Sequence, residues 1–143
     1  MPDEQLPVGH TKHGDLTLDQ IAALQPGLGT LMRDVSDRYW IAYYAAQSGN
    51  WPLAAYQLRA ARKRFSEGAL TRPKHKAMLD GYSAQILEPL LQHCEARDFA
   101  AFDKVYRAGI VLANQMHVAT KHGEIVWKLP PTPPQHLELG PVK

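Results

Sequence analysis

His117 is the residue best suited to chemistry in this chain, because its neighbours place an imidazole on the apolar side of a helix. Apolar residues recur at helical spacing from about residue 99 to about residue 120. Four residues share the helix face of His117, namely Phe102, Tyr106, Gly109 and Ala113. The small side chains at 109 and 113 could leave a gap for a planar ligand, or let another helix approach closely. A neutral imidazole there can ligate iron or transfer a proton, or it can be a core histidine with satisfied hydrogen bonds.

Three segments around this histidine carry a resemblance to a known family. Ala113-Asn114-Gln115-Met116-His117 has the spacing of Cys-x-x-Cys-His, although neither cysteine is present. Asp98-Phe99-x-x-Phe102-x-x-x-Tyr106 precedes it, Gly123-Glu124-Ile125-Val126-Trp127-x-x-Pro130 follows it, and Gly49-Asn50-Trp51-Pro52-Leu53-Ala54-Ala55-Tyr56 lies earlier. Over roughly residues 25 to 132 the chain resembles small four-helix-bundle proteins related to c-type cytochromes, which often read Cys-Asn-x-Cys-His at this place.

The resemblance implies a helical bundle with a ligand site beside the histidine. Asn114 and His117 match the family pattern, whereas Ala113 and Met116 replace the two cysteines that would hold haem covalently. Covalent haem is attached after export in bacteria, so the missing cysteines agree with a cytoplasmic location. A periplasmic location would follow if a signal peptide had been removed. The helix face of His117 and the resemblance together give five candidate residues for a cofactor site: His117, Asn114, Gly109, Ala113 and Tyr106.

Three functions remain open for such a bundle. The first is a non-catalytic module, without covalent haem, that binds a small ligand or a protein and forms a homodimer through exposed tyrosines and tryptophans. The second is a b-type haem protein for electron transfer or gas sensing, with His117 as axial metal ligand. Its second ligand would come from another helix, with four candidates: Met32, His75, Met78 and Tyr82. The third is an enzyme with an aromatic-lined pocket, where His117 is the acid or base.

The pattern of the whole chain predicts an all-α fold, an antiparallel four-helix bundle with a short N-terminal helix and an extended Pro-rich tail. Residues 1–16 are expected to be a flexible arm, 17–124 the bundle, and 125–143 the tail, which Trp127 pins to the helices. Thr17 and Asp98 are predicted helix caps, and either Asn50 or Trp51 is the predicted cap of the second long helix. Long helices are predicted at about 29–47, 51–66, 71–96 and 98–120, the third kinked by Pro89.

Composition and charge exclude several other classes. The single cysteine, Cys94, permits no internal disulfide, and no apolar stretch approaches the ~18 residues needed to cross a bilayer. The sequence lacks the ligand spacings that zinc and di-iron sites usually have.

Seven basic residues surround the one acidic residue Glu67, and they predict a patch for an acidic partner or anionic ligand: Arg59, Arg62, Lys63, Arg64, Arg72, Lys74 and Lys76. Too few aromatic residues interleave with them for binding of nucleic acid. Arg33 and Asp37, four residues apart, predict a surface ion pair.

Overall fold

The structure is a computed structural model that describes residues 8–143, and most of these residues are helical. This confirms the prediction of a predominantly helical chain. The strands are β1 (Val8–Thr11) and β2 (Gly14–Thr17), and the helices are α1 (Leu18–Ala23), α2 (Leu28–Gln47), α3 (Trp51–Thr71), α4 (Lys76–Tyr82), α5 (Glu88–Ala96) and α6 (Phe99–Ala119). A 3₁₀ turn at Pro73–His75 precedes α4, and a π-helical turn at Ser83–Leu87 joins α4 to α5.

A β-hairpin replaces most of the predicted flexible arm. Strands β1 and β2 pair antiparallel, with Val8 opposite Thr17 and Thr11 opposite Gly14. Gly14 takes a φ of 136°, a conformation that side chains rarely adopt, and this closes the turn. The prediction of an unstructured arm is therefore wrong for residues 8–16, whereas residues 1–7 lie outside the described part. Each strand has only four residues, too few for a clear alternating pattern.

The helix starts follow the predicted caps. The Thr17 hydroxyl accepts from the backbone N–H of Gln20, and the Gln20 side chain accepts in return from the N–H of Thr17. The Asn50 side chain accepts from Leu53 at 3.2 Å, and the Asp98 carboxylate accepts from Ala101 at 3.1 Å. The predicted caps are confirmed, with Asn50 and not Trp51 at the second long helix, because each depends on groups only three residues apart.

Helix α3 is longer than predicted. A stop was expected at Glu67-Gly68, yet the helix continues to Thr71. Gly68 is buried, and a Cβ atom at this position would lie 3.1 Å from Leu28 and 3.2 Å from Leu79. The glycine therefore lets the start of α2 and helix α4 pack closely against α3, and it does not end the helix.

The third predicted helix is interrupted before its proline. Pro89 lies in the first turn of α5, where the missing N–H does little harm. The π-helical turn at Ser83–Leu87 absorbs the disturbance that the proline ring causes one turn earlier. Because of this turn, α4 and α5 each present their own apolar residues to the core, Leu79 and Tyr82 from one and Leu90 from the other.

Candidate functional site

A cavity of about 660 Å³ lies between α2, the turn before α4, α6 and the chain that follows α6. Its inner end is formed by four buried residues, Tyr39, Phe65, Leu79 and Tyr82. Half-buried apolar residues form its walls, including Met32, Val35, Met78, Ile110, Ala113 and Met116. The volume and the apolar lining are those of a site for a small molecule.

His117 lines this cavity, with its ring half-buried at the wall. Its Nδ1 lies 2.9 Å from the backbone oxygen of Ile125. Because a carbonyl oxygen can only accept, Nδ1 carries the hydrogen in this contact, and in the neutral form of the ring Nε2 has the lone pair. The ring of His117 borders the cavity and the chain after α6, whereas Tyr106, on the same helix face, is fully buried in the core.

Asn114 does not line the cavity, but it positions a residue that does. Its side chain donates to the backbone oxygen of Trp127 at 3.0 Å and accepts from the backbone N–H of Trp127 at 2.8 Å. The Trp127 indole donates to the Ser36 hydroxyl of α2 at 2.7 Å. Together with the His117 contact, these bonds hold residues 125–127 as one wall of the cavity. The prediction that Trp127 pins the tail to the helices is confirmed.

Replacing Asn114 with alanine is expected to release this wall. Two hydrogen bonds to Trp127 disappear, which should lower the free energy of unfolding by about 1–3 kcal/mol and move the indole toward water. Chemical denaturation measures the first effect, and a red shift of the tryptophan emission, to which Trp127 contributes together with Trp40 and Trp51, measures the second. The matched control is Gln115→Ala, since Gln115 is the exposed neighbour on the same helix. Equal stabilities for the two variants would contradict this assignment.

Gly109 and Tyr106 belong to the closed core and not to the cavity. A Cβ atom at Gly109 would lie 2.5 Å from the Tyr39 hydroxyl, 2.7 Å from Ile86 and 2.9 Å from the Tyr82 hydroxyl. The gap predicted beside Gly109 is therefore filled by side chains of α2 and of the α4–α5 region. At Gly109 the structure shows the other predicted alternative, in which another helix approaches closely. Ala113, one turn further along, does line the cavity.

Three buried tyrosines, Tyr39, Tyr82 and Tyr106, surround Gly109, and we call them the tyrosine cluster. Tyr39 and Tyr106 stack with ring centroids 4.0 Å apart, and each hydroxyl donates to the other residue's backbone oxygen, at 2.9 and 2.7 Å. The Tyr82 hydroxyl donates to the backbone oxygen of Gly109 at 3.2 Å. Burial raises the pKa of Tyr82 to about 12, and it also raises the pKa of Tyr39 and of Tyr106 well above the usual value for tyrosine. All three hydroxyls are fixed donors, and Tyr39 and Tyr82 form part of the inner end of the cavity.

Within the described range, five of the seven residues of the predicted basic patch are either paired with a carboxylate or lie at the cavity, whereas Arg59 and Lys63 do neither. Carboxylates from other elements form the pairs Arg62–Glu88 and Arg64–Asp34, and carboxylates of the same helix form the pairs Arg64–Glu67 and Lys76–Asp80. The expectation of a single acidic residue within the patch is wrong, because packing brings in Asp34 and Glu88. Hydrogen bonds from Arg38 and Arg64 lower the pKa of the Asp34 carboxylate. Two further residues of the predicted patch, Arg72 and Lys74, line the cavity.

The aromatic residues of the first two long helices serve mainly as packing. Of Tyr39, Trp40, Tyr43, Tyr44, Trp51 and Tyr56, only Tyr39 lines the cavity and only Tyr56 is exposed. Trp40 donates to the backbone oxygen of Thr132 at 2.9 Å, and Tyr44 donates to that of Pro130 at 2.6 Å. These two side chains therefore hold the Pro-rich tail. The argument for a homodimer from exposed aromatic residues loses its basis, although dimerisation itself stays a prediction.

Other chemistry finds little support in residues 8–143. No group of three or more His, Cys, Asp or Glu side chains there could hold a metal ion. Burial raises the pKa of the Cys94 thiol to about 12, which keeps it protonated and unreactive at neutral pH. Within the same range, no helix has the length and apolar character to cross a membrane.

Comparison with family models, with curated proteins and with solved structures finds no match to this chain. Its function must therefore be inferred from the cavity and the residues around it.

Proposed function

We propose that this chain is an antiparallel four-helix bundle that binds a small, largely apolar molecule in the cavity beside His117, without catalysing a reaction. The observation that carries the proposal is the cavity itself, whose volume of about 660 Å³ falls within the range of ligand sites. The cavity opens to solvent, so its apolar lining borders water when nothing is bound. A small apolar ligand would cover this surface.

Contacts between the long helices support the bundle topology. Tyr39 of α2 stacks on Tyr106 of α6, while Tyr43, one turn later in α2, donates to Asp103, one turn earlier in α6. The order is opposite along the two helices, which therefore run antiparallel. Phe65 of α3 stacks on Tyr82 at the end of α4, with ring centroids 5.1 Å apart. Short turns connect α2 to α3 and α5 to α6.

Relationship to the c-type-cytochrome-like bundles remains part of this proposal. Asn114 and His117, the two residues that match the family motif, both bind the backbone of residues 125–127. They have a structural purpose that does not depend on thioether-linked haem. A chain that lost the cysteines could keep these two residues for that reason.

The polar groups of the cavity favour binding over catalysis. The hydroxyls of Tyr39 and Tyr82 donate to backbone carbonyls, so they are committed. No carboxylate or thiol is among the residues that line the cavity, and His117 has no acidic partner there. An acid–base enzyme would need a second group to orient or complement the imidazole.

Titration with the neutral fluorophore N-phenyl-1-naphthylamine tests the binding function. Saturable binding at one site is expected, together with a blue-shifted emission. Ala113→Phe should fill part of the cavity and weaken binding about tenfold or more, because a phenyl ring displaces the ligand. Ala108→Phe, at an exposed position of the same helix, is the control. The proposal fails if the probe does not saturate, or if both variants bind it alike.

The hydrogen bond of His117 favours a second candidate function, the binding of b-type haem. Metal-ligating histidines usually donate their second ring N–H to a carbonyl or carboxylate, and Nδ1 of His117 donates to Ile125 in this way. Nε2 of His117 would bind the iron, and the apolar walls would cover the porphyrin. All four candidates for a second axial ligand, Met32, His75, Met78 and Tyr82, line the cavity, although the Tyr82 hydroxyl already donates to Gly109. Haem, when bound, would supply electron transfer or gas binding.

Adding haemin to the purified protein tests this candidate. A Soret band characteristic of histidine ligation is expected, and His117→Ala should reduce haemin affinity about tenfold or more. His13→Ala, in the exposed hairpin loop, is the control and should behave as the parent protein does. An absent Soret band, or one that His117→Ala leaves unchanged, rules out the haem candidate and leaves the binding of other apolar ligands to be judged by the fluorophore.

A further inference from the structure

We propose that the ligand is an amphiphile with a long alkyl chain and a carboxylate head, of the fatty-acid class, and this inference depends on the binding function proposed above. The residues that line the cavity include three permanent cations, Arg33, Arg72 and Lys74, together with the histidines His75, His117 and His122. Asp and Glu are absent from this lining. A cavity that is apolar inside and only basic among its charged residues is complementary to an apolar anion.

The cations are available for a ligand. Among residues 8–143, neither Arg33 nor Lys74 has a hydrogen bond or an ion pair through its side chain, and the Arg33–Asp37 pair predicted from their spacing is not formed. Arg72 donates only to the backbone oxygen of its neighbour Thr71, at 2.9 Å. In contrast, Arg38, Arg62, Arg64 and Arg107 are all paired with carboxylates. None of the three cations at the cavity is therefore neutralised by a carboxylate of residues 8–143.

Their position gives the cavity a polar mouth. Arg33 comes from α2, Lys74 from the turn before α4 and His122 from the chain after α6, and all three are exposed to solvent. The inner end is formed by Tyr39, Phe65, Leu79 and Tyr82, all buried. A carboxylate at the mouth would meet cations and stay partly hydrated, which avoids the cost of burying a charge. One acidic residue lies nearby, since the Glu124 carboxylate contacts His122 at 3.0 Å, so His122 contributes less than the permanent cations.

The walls suit a flexible chain. Three methionines, Met32, Met78 and Met116, line the cavity from three different helices. Unbranched thioether side chains adapt their shape to the ligand, and they pack well against a chain that itself has many rotamers. An alkyl chain along these walls, with its head at Arg33 and Lys74, uses both the apolar and the basic part of the lining.

Matched probes test the inference. Hexadecanoate and hexadecan-1-ol, each below its aggregation concentration, compete with N-phenyl-1-naphthylamine for the cavity. The acid is expected to bind about tenfold or more tightly than the alcohol, because only the acid has a charge for the mouth. Raising the salt concentration from about 50 mM to about 500 mM should weaken binding of the acid more than binding of the alcohol, since salt screens exposed charges.

The double variant Arg33→Gln/Lys74→Gln should bring the affinities for acid and alcohol close together. Arg59→Gln/Lys63→Gln removes two basic residues that lie outside the cavity lining and should keep the preference for the acid. Circular dichroism confirms that both variants are folded. If the alcohol binds the parent protein as tightly as the acid, or the cavity variant keeps the preference, the carboxylate inference is overturned while the binding function stands. If fluorophore, acid and alcohol all fail to bind, both proposals are overturned.

Discussion

Raising the pH from 10 toward 12 is expected to unfold the protein, because the tyrosine cluster must stay protonated for the helices to pack. An exposed tyrosine in an unfolded chain loses its proton near pH 10, whereas burial raises the pKa of Tyr82 to about 12 and raises that of Tyr39 and of Tyr106 well above the usual value. The stabilisation is therefore complete below pH 10 and is lost as the pH rises toward the folded pKa values. Each tyrosine costs about 1.4 kcal/mol per pH unit in this window. The cluster costs about 4 kcal/mol per unit, a large part of the ~5–15 kcal/mol that stabilises a typical domain.

Helical circular dichroism and tyrosinate absorbance, followed together against pH, measure this effect. Exposed Tyr56 should ionise near pH 10, whereas the absorbance change of the three buried hydroxyls should coincide with the loss of helical signal, since they ionise only when the core opens. Tyr39→Phe/Tyr106→Phe should reduce the slope of stability against pH, and Tyr56→Phe, at an exposed position, should not. If all six tyrosines ionise near pH 10 while the helices persist, the assignment of the cluster is wrong.

Gly109→Ala is expected to destabilise the fold strongly, although it adds only one methyl group. Helix propensity alone would favour alanine by about 1 kcal/mol. The new methyl group, however, would lie 2.5 Å from the Tyr39 hydroxyl and 2.7 Å from Ile86, distances at which one partner must move. Tyrosine and isoleucine in a closed core have few other rotamers, and movement of Tyr39 or Tyr82 breaks hydrogen bonds to Tyr106 or to the backbone of residue 109. We expect a loss of about 2–4 kcal/mol in the free energy of unfolding.

Gly81→Ala is the matched control for this substitution. Gly81 is also helical, and its nearest neighbour would be the Gln85 side chain at 3.7 Å, an ordinary contact. This variant should gain about 0.5–1 kcal/mol, so the two glycine variants differ in sign. Urea denaturation followed by circular dichroism measures both. A stabilised Gly109→Ala protein would show that α6 can move away from α2 and α4, which would contradict the tight packing around the tyrosine cluster.

The predictions that were confirmed depend on groups close together in the chain. Thr17, Asn50 and Asp98 cap their helices through hydrogen bonds to residues three positions later. Gly49 has a φ of 87° and ends α2 as its type suggests. The predictions that were wrong depend on packing instead. Gly68 reads as a helix stop, yet contacts with Leu28 and Leu79 keep it inside α3.

The candidate site shows the same division. His117 and Ala113 were predicted from helix spacing and do line the cavity, whereas Gly109 and Tyr106 share their helix face and belong to the closed core. Spacing gives the face of a helix, but it does not tell where along that face a neighbouring helix ends. The bond from His117 to Ile125 and the contact of Asn114 with Trp127 bridge a return of the chain. The sequence signals for that wall were Asn114 and His117, which match the family motif, and Trp127, the aromatic residue that follows Gly123.

By itself, the sequence determined the helical class, the places where helices begin, and a histidine on the apolar side of the last long helix, because these follow from residues within one or two turns of each other. Only the tertiary structure decided that an open cavity lies beside His117, that Arg33, Arg72 and Lys74 lie at it, and that Arg62 and Arg64 are neutralised by Glu88 and Asp34. Cavities and ion pairs depend on which helix faces meet and at what depth. That depends on the side chains of all the helices together, such as those that meet around Gly109.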